Sequence, residues 1–403
     1  MAAQRTAIGR RLSIRRRAHR PPIRFGKSGH RLIVAPLLAT VAASVAVGAA
    51  VALARATSPR RVGERRRRRD RLGLCADESL GPGLRRMALD QLDLALELLG
   101  GQTPPDEKAI HATRKAIKRL RALLRLLEGR LSAAALERED ELLRKVARSL
   151  SPARDAAVML ATLDRLLIDD PGLATSGGVA RLRGRLALEH AQAEHETFAA
   201  SGEQRRALAR LEGLRGRVLA WQLDEPQGIE LVAVGLRCIY RSGRRRHRRL
   251  VSGRHTGMRA RHKLRKEVKD LRYAAEMLQR TEGPGRGAGK AKKKARRKQA
   301  RHLHRLARQA DEIAEALGEE HDLGLLVELI EAEKRRSSRA PGTRPLGRRR
   351  RRALLKLAKR RRRLLRKRAL RECKRLYSDR PKRFVRRAEG CYRACEPRGL
   401  SSR

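Results

Sequence analysis

The chain has 403 residues, enough for more than one domain and for a sizeable buried core. It carries 100 Lys and Arg against 43 Asp and Glu, a formal net charge of +57, and self-repulsion at that density is costly unless a polyanion neutralises it. Three Phe, one Trp and four Tyr disfavour sheet folds and base-stacking RNA modules, while a hydrophobic content of 40% disfavours a wholly disordered basic protein.

In chain order, residues 1–31 form a basic tail with ten Lys and Arg and no acid. Residues 32–54, from Leu32 to Ala54, are 23 uncharged residues. At about 1.5 Å per residue they match a hydrocarbon core of roughly 30 Å, so they read as a candidate transmembrane helix. A cleaved signal ending after Ala54 and a segment that never inserts are the alternatives. The flanking charges, +10 before and +7 over residues 55–71, nearly cancel; a positive-inside count slightly favours an exported domain. Cys75, Cys238, Cys373, Cys391 and Cys395 are odd in number and scattered, which favours a reducing compartment instead. The expected location is therefore membrane-associated with the domain on the cytoplasmic side, export remaining the alternative.

Residues 55–79 read as an Arg-rich linker, 80–395 as a helical domain and 396–403 as a tail. Breaks at Gly100 to Pro105, Asp170 to Gly178, Glu225 to Gly228, Gly283 to Gly289 and Ala340 to Gly347 separate the helical segments. The run from Gly283 to Lys298 reads as a flexible basic loop whose Lys-rich part could extend the next helix. Residues 341–403 carry +22, but Leu354, Leu355, Leu357, Leu364, Leu365 and Leu370 point to packed helix, not a free tail.

An internal match organises the domain. IHATRKAIKRLRALLRLL from Ile110 aligns with RHKLRKEVKDLRYAAEML from Arg261 at an offset of 151, pairing His111 with His262, Arg114 with Arg265, Lys115 with Lys266, Lys118 with Lys269 and Arg121 with Arg272. LSPARDAAVML from Leu150 and LGEEHDLGLLV from Leu317 match at an offset of 167, the additional 16 residues fitting an insertion around Gly283 to Lys298. Two related helical halves are expected, at about 80–225 and 226–395, in an all-α fold of two pseudo-symmetric bundles. At about 100° per residue the five matched basic positions share one arc of roughly 120°. Ile117, Leu120, Leu123, Leu124 and Leu127 line the opposite face, mirrored by Val268, Leu271, Ala274, Ala275 and Leu278.

A single basic helix face is ordinarily a solvated surface; two copies keeping the same cations point to a partner met by both. Alternating Arg and Lys suit a repeating phosphate backbone. Nucleic acid would call for stacking aromatics or base-reading Asn and Gln, and Tyr273 is the one aromatic in either stripe. Inorganic polyphosphate fits best. Nucleic acid is expected as a weaker, non-specific competitor, and a nucleic-acid or ribosome-associated protein using Arg-rich termini is the alternative class. An anionic lipid surface could engage the polybasic flanks of Leu32 to Ala54.

The two H-x-x-R-x-x-x-K-x-x-R helices, each followed by an L-x-x-x-[RH]-D element, resemble the CHAD domain, the conserved histidine alpha-helical domain. The resemblance covers about residues 80–395. It implies two helical bundles around a basic groove, association with inorganic polyphosphate, and a groove lined by His111, Arg114, Lys118, Arg121, His262, Arg265, Lys269 and Arg272, with Lys115, Arg125 and Lys266 as neighbours. A place at cytoplasmic polyphosphate granules is a further alternative location. The chain departs from the pattern with His321 opposite Arg154, and Ser151 opposite Gly318. Asp155 and Asp322 are expected in the first turn after a break, where an acid suits a helix N-terminus. Near phosphate the histidines should favour the imidazolium form, so tighter binding is expected below about pH 6.5.

No catalytic residue is expected: no carboxylate cluster stands beside the stripes in sequence, no Walker-type loop occurs, and the E-x-E-x-K signature of the triphosphatase domains that accompany some CHAD domains is absent. No cofactor is expected. A metal at Cys391 and Cys395 lacks a second ligand pair at zinc spacing, and cations ringing the histidines would repel one there.

Overall fold

The computed structural model describes residues 72–75, 78–101, 105–199, 202–225, 228–254, 256–280, 290–337 and 346–395. The candidate span Leu32 to Ala54, the tail before it, and most of the Arg-rich linker lie outside these residues. No described helix is long and apolar enough to cross a membrane.

The described chain is helical, with only two isolated bridges, Leu74 to Arg280 and Glu128 to Leu131. The helices are α1 (Leu80–Gly100), α2 (Glu107–Leu126), α3 (Ala133–Ser149), α4 (Ser151–Ile168), the single turn α5 (Pro171–Ala174), α6 (Gly177–Ala199) and α7 (Glu203–Leu219). A 3-10 turn at Gly228–Val232 leads into α8 (Ala233–Val251), α9 (Met258–Met277), α10 (Lys290–Ser337), α11 (Arg348–Leu376) and α12 (Pro381–Cys395). The two basic stripes fall on α2 and α9, and both ends of these helices differ by 151 residues.

Each predicted apolar face is buried: Ile117, Leu120, Leu123, Leu124 and Leu127 on α2, and Val268, Leu271, Ala274, Ala275 and Leu278 on α9. Asp106 starts α2 by accepting the Ala109 N–H at 2.6 Å, while α9 starts at Gly257 with no side-chain cap. The halves do not close separate cores. One continuous core joins α1, α2, α3 and α7 to α8, α9, α10, α11 and α12. A smaller cluster mixes both halves again, Leu163, Leu166, Leu182 and Leu186 meeting Leu326, Ile330, Leu354 and Ala358. Helices α2 and α9 are in contact, and the apolar residues of both belong to this single core.

The expected break before Asp322 does not occur. In the first half Pro152, in the opening turn of α4, separates α3 from α4 because proline lacks the amide that would continue the helix. Its counterpart Glu319 has no such constraint, and α10 runs unbroken for 48 residues. Asp322 therefore lies deep inside a helix, and Asp155 lies past the first turn of α4, which holds no acid. Neither is placed to stabilise a helix N-terminus. The Lys-rich end of the predicted loop joins α10 from Lys290.

One close approach fixes α8 against α2. A Cβ at Gly235 would come within 2.2 Å of the Leu126 carbonyl oxygen and 2.5 Å of that of Arg125. Only glycine allows the two backbones this near.

Candidate functional site

Arg114 and Arg265, which align in the internal sequence match, make similar contacts. Arg114 donates from Nη1 to the Ala147 carbonyl at 2.6 Å, and Arg265 donates from Nε to the Ala314 carbonyl at 3.1 Å. Ala147 and Ala314 are 167 residues apart, the offset of the second matched element. Each arginine is thus tied to the helix that follows its own stripe. The Arg265 guanidinium lies over Gly318, where a Cβ would meet its Nη2 at 2.4 Å. This accounts for the glycine at that position.

Arg121 is held by a carboxylate of the helix that follows it, and Arg272 by one carboxylate of its own helix and one of the next. Arg121 Nε pairs with Asp140 at 2.6 Å, and Arg272 pairs with Glu276 at 2.6 Å and with Asp311. Arg144, which the sequence did not single out, shares Asp140 at 2.6 Å. Lys266 of α9 is exposed, and partial burial of its ammonium, then the charges of Arg121 and Arg144, hold its pKa below the ordinary lysine value, with Asp270 opposing. The two stripe helices are in contact, and Arg125 bridges them. Lys115, Lys118 and Lys269 are half-buried on the same faces.

Arg125 is engaged differently. It bridges the two stripe helices, pairing with Glu267 at 2.9 Å and with Asp270, and Glu267 also receives Arg246 at 2.7 Å. Glu267 is 7% exposed. Burial alone would lower the Arg125 pKa, but Asp270 and Glu267 together raise it. The geometry makes Arg125 a strut across the α2–α9 contact.

The histidines are not equivalent. His111 is exposed in the second turn of α2. His262 is half-buried and faces His321 of α10, ring centroids 4.6 Å apart and planes inclined by 40°. The Nδ1 atoms of both are buried and have no hydrogen-bond partner. Burial, His321, Lys266, Arg265 and Lys269 push the His262 pKa down to about 4. His321 is lowered too, first by burial, with Asp322 and Glu320 opposing. The departure from the family pattern at His321 thus gives His262 its neighbour; the Arg154 side chain lies outside the described residues.

Behind His321 sits a buried ion cluster that sequence reasoning missed. Glu320, 1% exposed, receives Arg261 through two bonds of 3.0 Å and Arg362 of α11 at 3.1 Å. Its one legible trace is position, Arg261 and Glu320 each standing directly before a histidine of the stripe elements. Tyr273 is no stacking platform either: it is buried in the core, with the Arg272 guanidinium 5.5 Å from its ring centroid. Beside α9, Arg246, Arg249, Arg259 and Lys263 line a cleft of about 470 Å³ with Leu250, Gly257 and Ala260, and no carboxylate lines it.

Cys75, Cys238 and Cys373 are free thiols, and Cys373 and Cys391 are buried. Among the described residues no three His, Cys, Asp or Glu gather as a metal site. What the α2–α9 region offers chemically is positive charge fixed in place, its acids already bound to guanidinium groups.

No curated protein matches the chain. Among solved structures it is similar to PptA from Streptomyces chartreusis, 17% identical, with 75% of this chain and 100% of that chain covered and a TM-score of 0.47. The family model of the CHAD domain matches residues 86–302, more than half of the length and both stripe helices, and the chain belongs to the CHAD family.

Proposed function

We propose that the chain binds inorganic polyphosphate, without turnover, along the cationic faces of α2 and α9. The observation that carries this reading is the contact of α2 with α9, bridged by Arg125 to Glu267 and Asp270, which brings the two cationic stripe helices together; the charges of Arg121 and Arg144 repel Lys266 across that seam and, after burial, lower its pKa. A polyanion laid between them converts that repulsion into attraction. Membership of a family associated with polyphosphate supports the same ligand. The duplicated stripe gives such a polymer two related tracks in one core. The cleft of Arg249, Arg259 and Lys263 continues the basic surface beyond Lys266.

Binding without catalysis is supported by the fate of the nearby acids. Asp140, Glu267, Asp270, Glu276, Asp311 and Glu320 are all paired with arginine, which leaves none of them poised as a general base. In this reading Leu32 to Ala54 tethers the domain to a membrane; carbonate extraction of membranes from expressing cells should leave the full chain in the pellet.

The test is competition. Detergent-solubilised full-length protein is given fluorescent long-chain polyphosphate and challenged with RNA, duplex DNA or anionic vesicles at equal phosphate concentration. Polyphosphate should resist all three, with no orthophosphate released over hours. Ready displacement by RNA would favour a nucleic-acid protein. Changing Arg114, Lys118, Arg265 and Lys269 together to Glu should abolish most binding while the helical circular dichroism persists.

A further inference from the structure

The outer face of α11 carries charge that neither the core nor the α2–α9 region uses. Seventeen of its 29 residues are Lys or Arg and one, Glu372, is acidic. Leu354, Ala358, Ala369, Cys373 and Leu376 are buried along one arc. On the flanks of that arc Arg361 pairs with Asp169 and Glu319, and Arg362 pairs with Glu320. Arg352, Lys356, Arg363 and Lys367 stand on the opposite side, exposed, and form no ion pair among the described residues. At about 100° per residue these four fall within an arc of about 60°, on a helix roughly 43 Å long.

Surface helices normally intersperse acids three or four residues from their cations, which stabilises the helix and neutralises the face. Here successive cations three and four apart repel one another, with a single acid near the C-terminal end. Such a ridge is stabilised by an external anion that spans several turns. Its chemistry selects among polyanions. The helix contains no Phe, Tyr, Trp, Asn or Gln, so it offers neither base stacking nor base-edge readout. Its apolar arc is spent on the core and Leu364 is its one exposed large apolar side chain, so it cannot sink into a lipid interface.

We propose that the α11 ridge is a second binding surface for inorganic polyphosphate, facing away from the core, and that the two surfaces together let long polyphosphate link protein molecules into networks. The ridge stands on its own observations; the linking step rests on the polyphosphate reading of α2 and α9. Two attachment sites per molecule and many per polymer are the condition for such linkage, and the avidity gained needs no new contact.

The experiment compares three full-length proteins: wild type, a ridge variant (R352E, K356E, R363E, K367E) and a variant of the stripes (R114E, K118E, R265E, K269E). Light scattering is followed against long-chain and short-chain polyphosphate, with binding measured in parallel by fluorescence anisotropy. Wild type should assemble with the long polymer, redissolve when the polymer is in excess, and stay dispersed with the short one. The ridge variant should still bind long polyphosphate but not assemble. Assembly of the ridge variant equal to wild type overturns the proposal, as does duplex DNA outcompeting polyphosphate on the stripe variant at equal phosphate. Undiminished affinity of the stripe variant, with assembly lost only in the ridge variant, would instead remove the α2–α9 reading and leave the ridge standing. Because the four ridge side chains are exposed, the Gln versions of the same substitutions provide a folding control and should behave alike, more weakly.

Discussion

The rings of His262 and His321 are tilted against each other at 40° with centroids 4.6 Å apart, and each buries an Nδ1 that nothing accepts from or donates to. Burial, then His321, Lys266, Arg265 and Lys269 around it, push the His262 pKa down to about 4 and favour the neutral ring. The sequence alone set the switch at the reference value of about 6.5. In the free protein the structure moves it more than two pH units lower. A bound phosphate adds negative charge beside the ring and must raise that value, so binding takes up a proton. Polyphosphate affinity should therefore climb as pH falls from the bound-state pKa toward 4, and calorimetry in buffers of different ionisation enthalpy should register the uptake. H262Q should flatten the profile; an unaltered slope in that variant would remove His262 from the linkage.

The same residue predicts the direction of acid stability. Its folded pKa lies below the unfolded value of 6.5, so the unfolded chain binds the proton more readily. This contribution is complete above pH 6.5 and is lost as pH falls through 6.5 toward 4. Thermal melts of the ligand-free protein should show the melting temperature dropping across that window, and dropping less in H262Q.

Gly318 and Gly235 should respond in opposite ways to alanine. At Gly318 the added methyl meets only the far end of the Arg265 side chain, which can swing aside. G318A should keep the fold, with a melting temperature within a few degrees of wild type, while weakening polyphosphate binding several-fold. At Gly235 the methyl meets two backbone carbonyls that cannot yield without separating α8 from α2. G235A should cost on the order of 1–3 kcal/mol or more in urea unfolding.

Arg125 and Lys118 stand two turns apart on one helix face but should separate stability from affinity. R125M leaves Asp270 without its guanidinium partner, while Glu267 keeps Arg246. A loss of about 1–3 kcal/mol in unfolding free energy is expected, with a modest effect on affinity in whatever remains folded. K118M should do the reverse. Equal effects of both on binding, at unchanged stability, would return Arg125 to the ligand.

Glu320 is the most exacting position. E320Q removes the charge between Arg261 and Arg362 in a buried setting, and should destabilise the protein by about 3–5 kcal/mol. Replacing all three residues by apolar ones of similar volume should recover much of that loss.

The helical architecture and the two stripe helices were legible because their periodicity is strong and appears twice: the apolar faces of α2 and α9 are buried as their spacing requires. Cys75, Cys238 and Cys373 form no disulfide, in keeping with their scatter. What the sequence concealed was pairing over long separations. Nothing local marks Arg125 as the partner of Asp270, 145 residues away, or Asp140 as a shared anchor for Arg121 and Arg144. Periodicity also could not distinguish a break from a continuous helix at Leu317, because glycine followed by acids permits either, whereas Pro152 permits only a break. The single core was hidden for a related reason: an apolar stripe announces burial and says nothing of which half it packs against.

That undivided core has a mechanical consequence. If each half had folded around its own interior, the polymer would lie in a hinge, gripped by two lobes swinging shut. With leucines of both halves packed in one block, the seam between α2 and α9 has no separate lobes to swing, and on the polyphosphate proposal an arriving chain would meet a rail of charges held by that block. Capture should then be limited by diffusion and ionic strength, not by any rearrangement of the protein, and release should be governed by how quickly salt or a competing anion strips the rail.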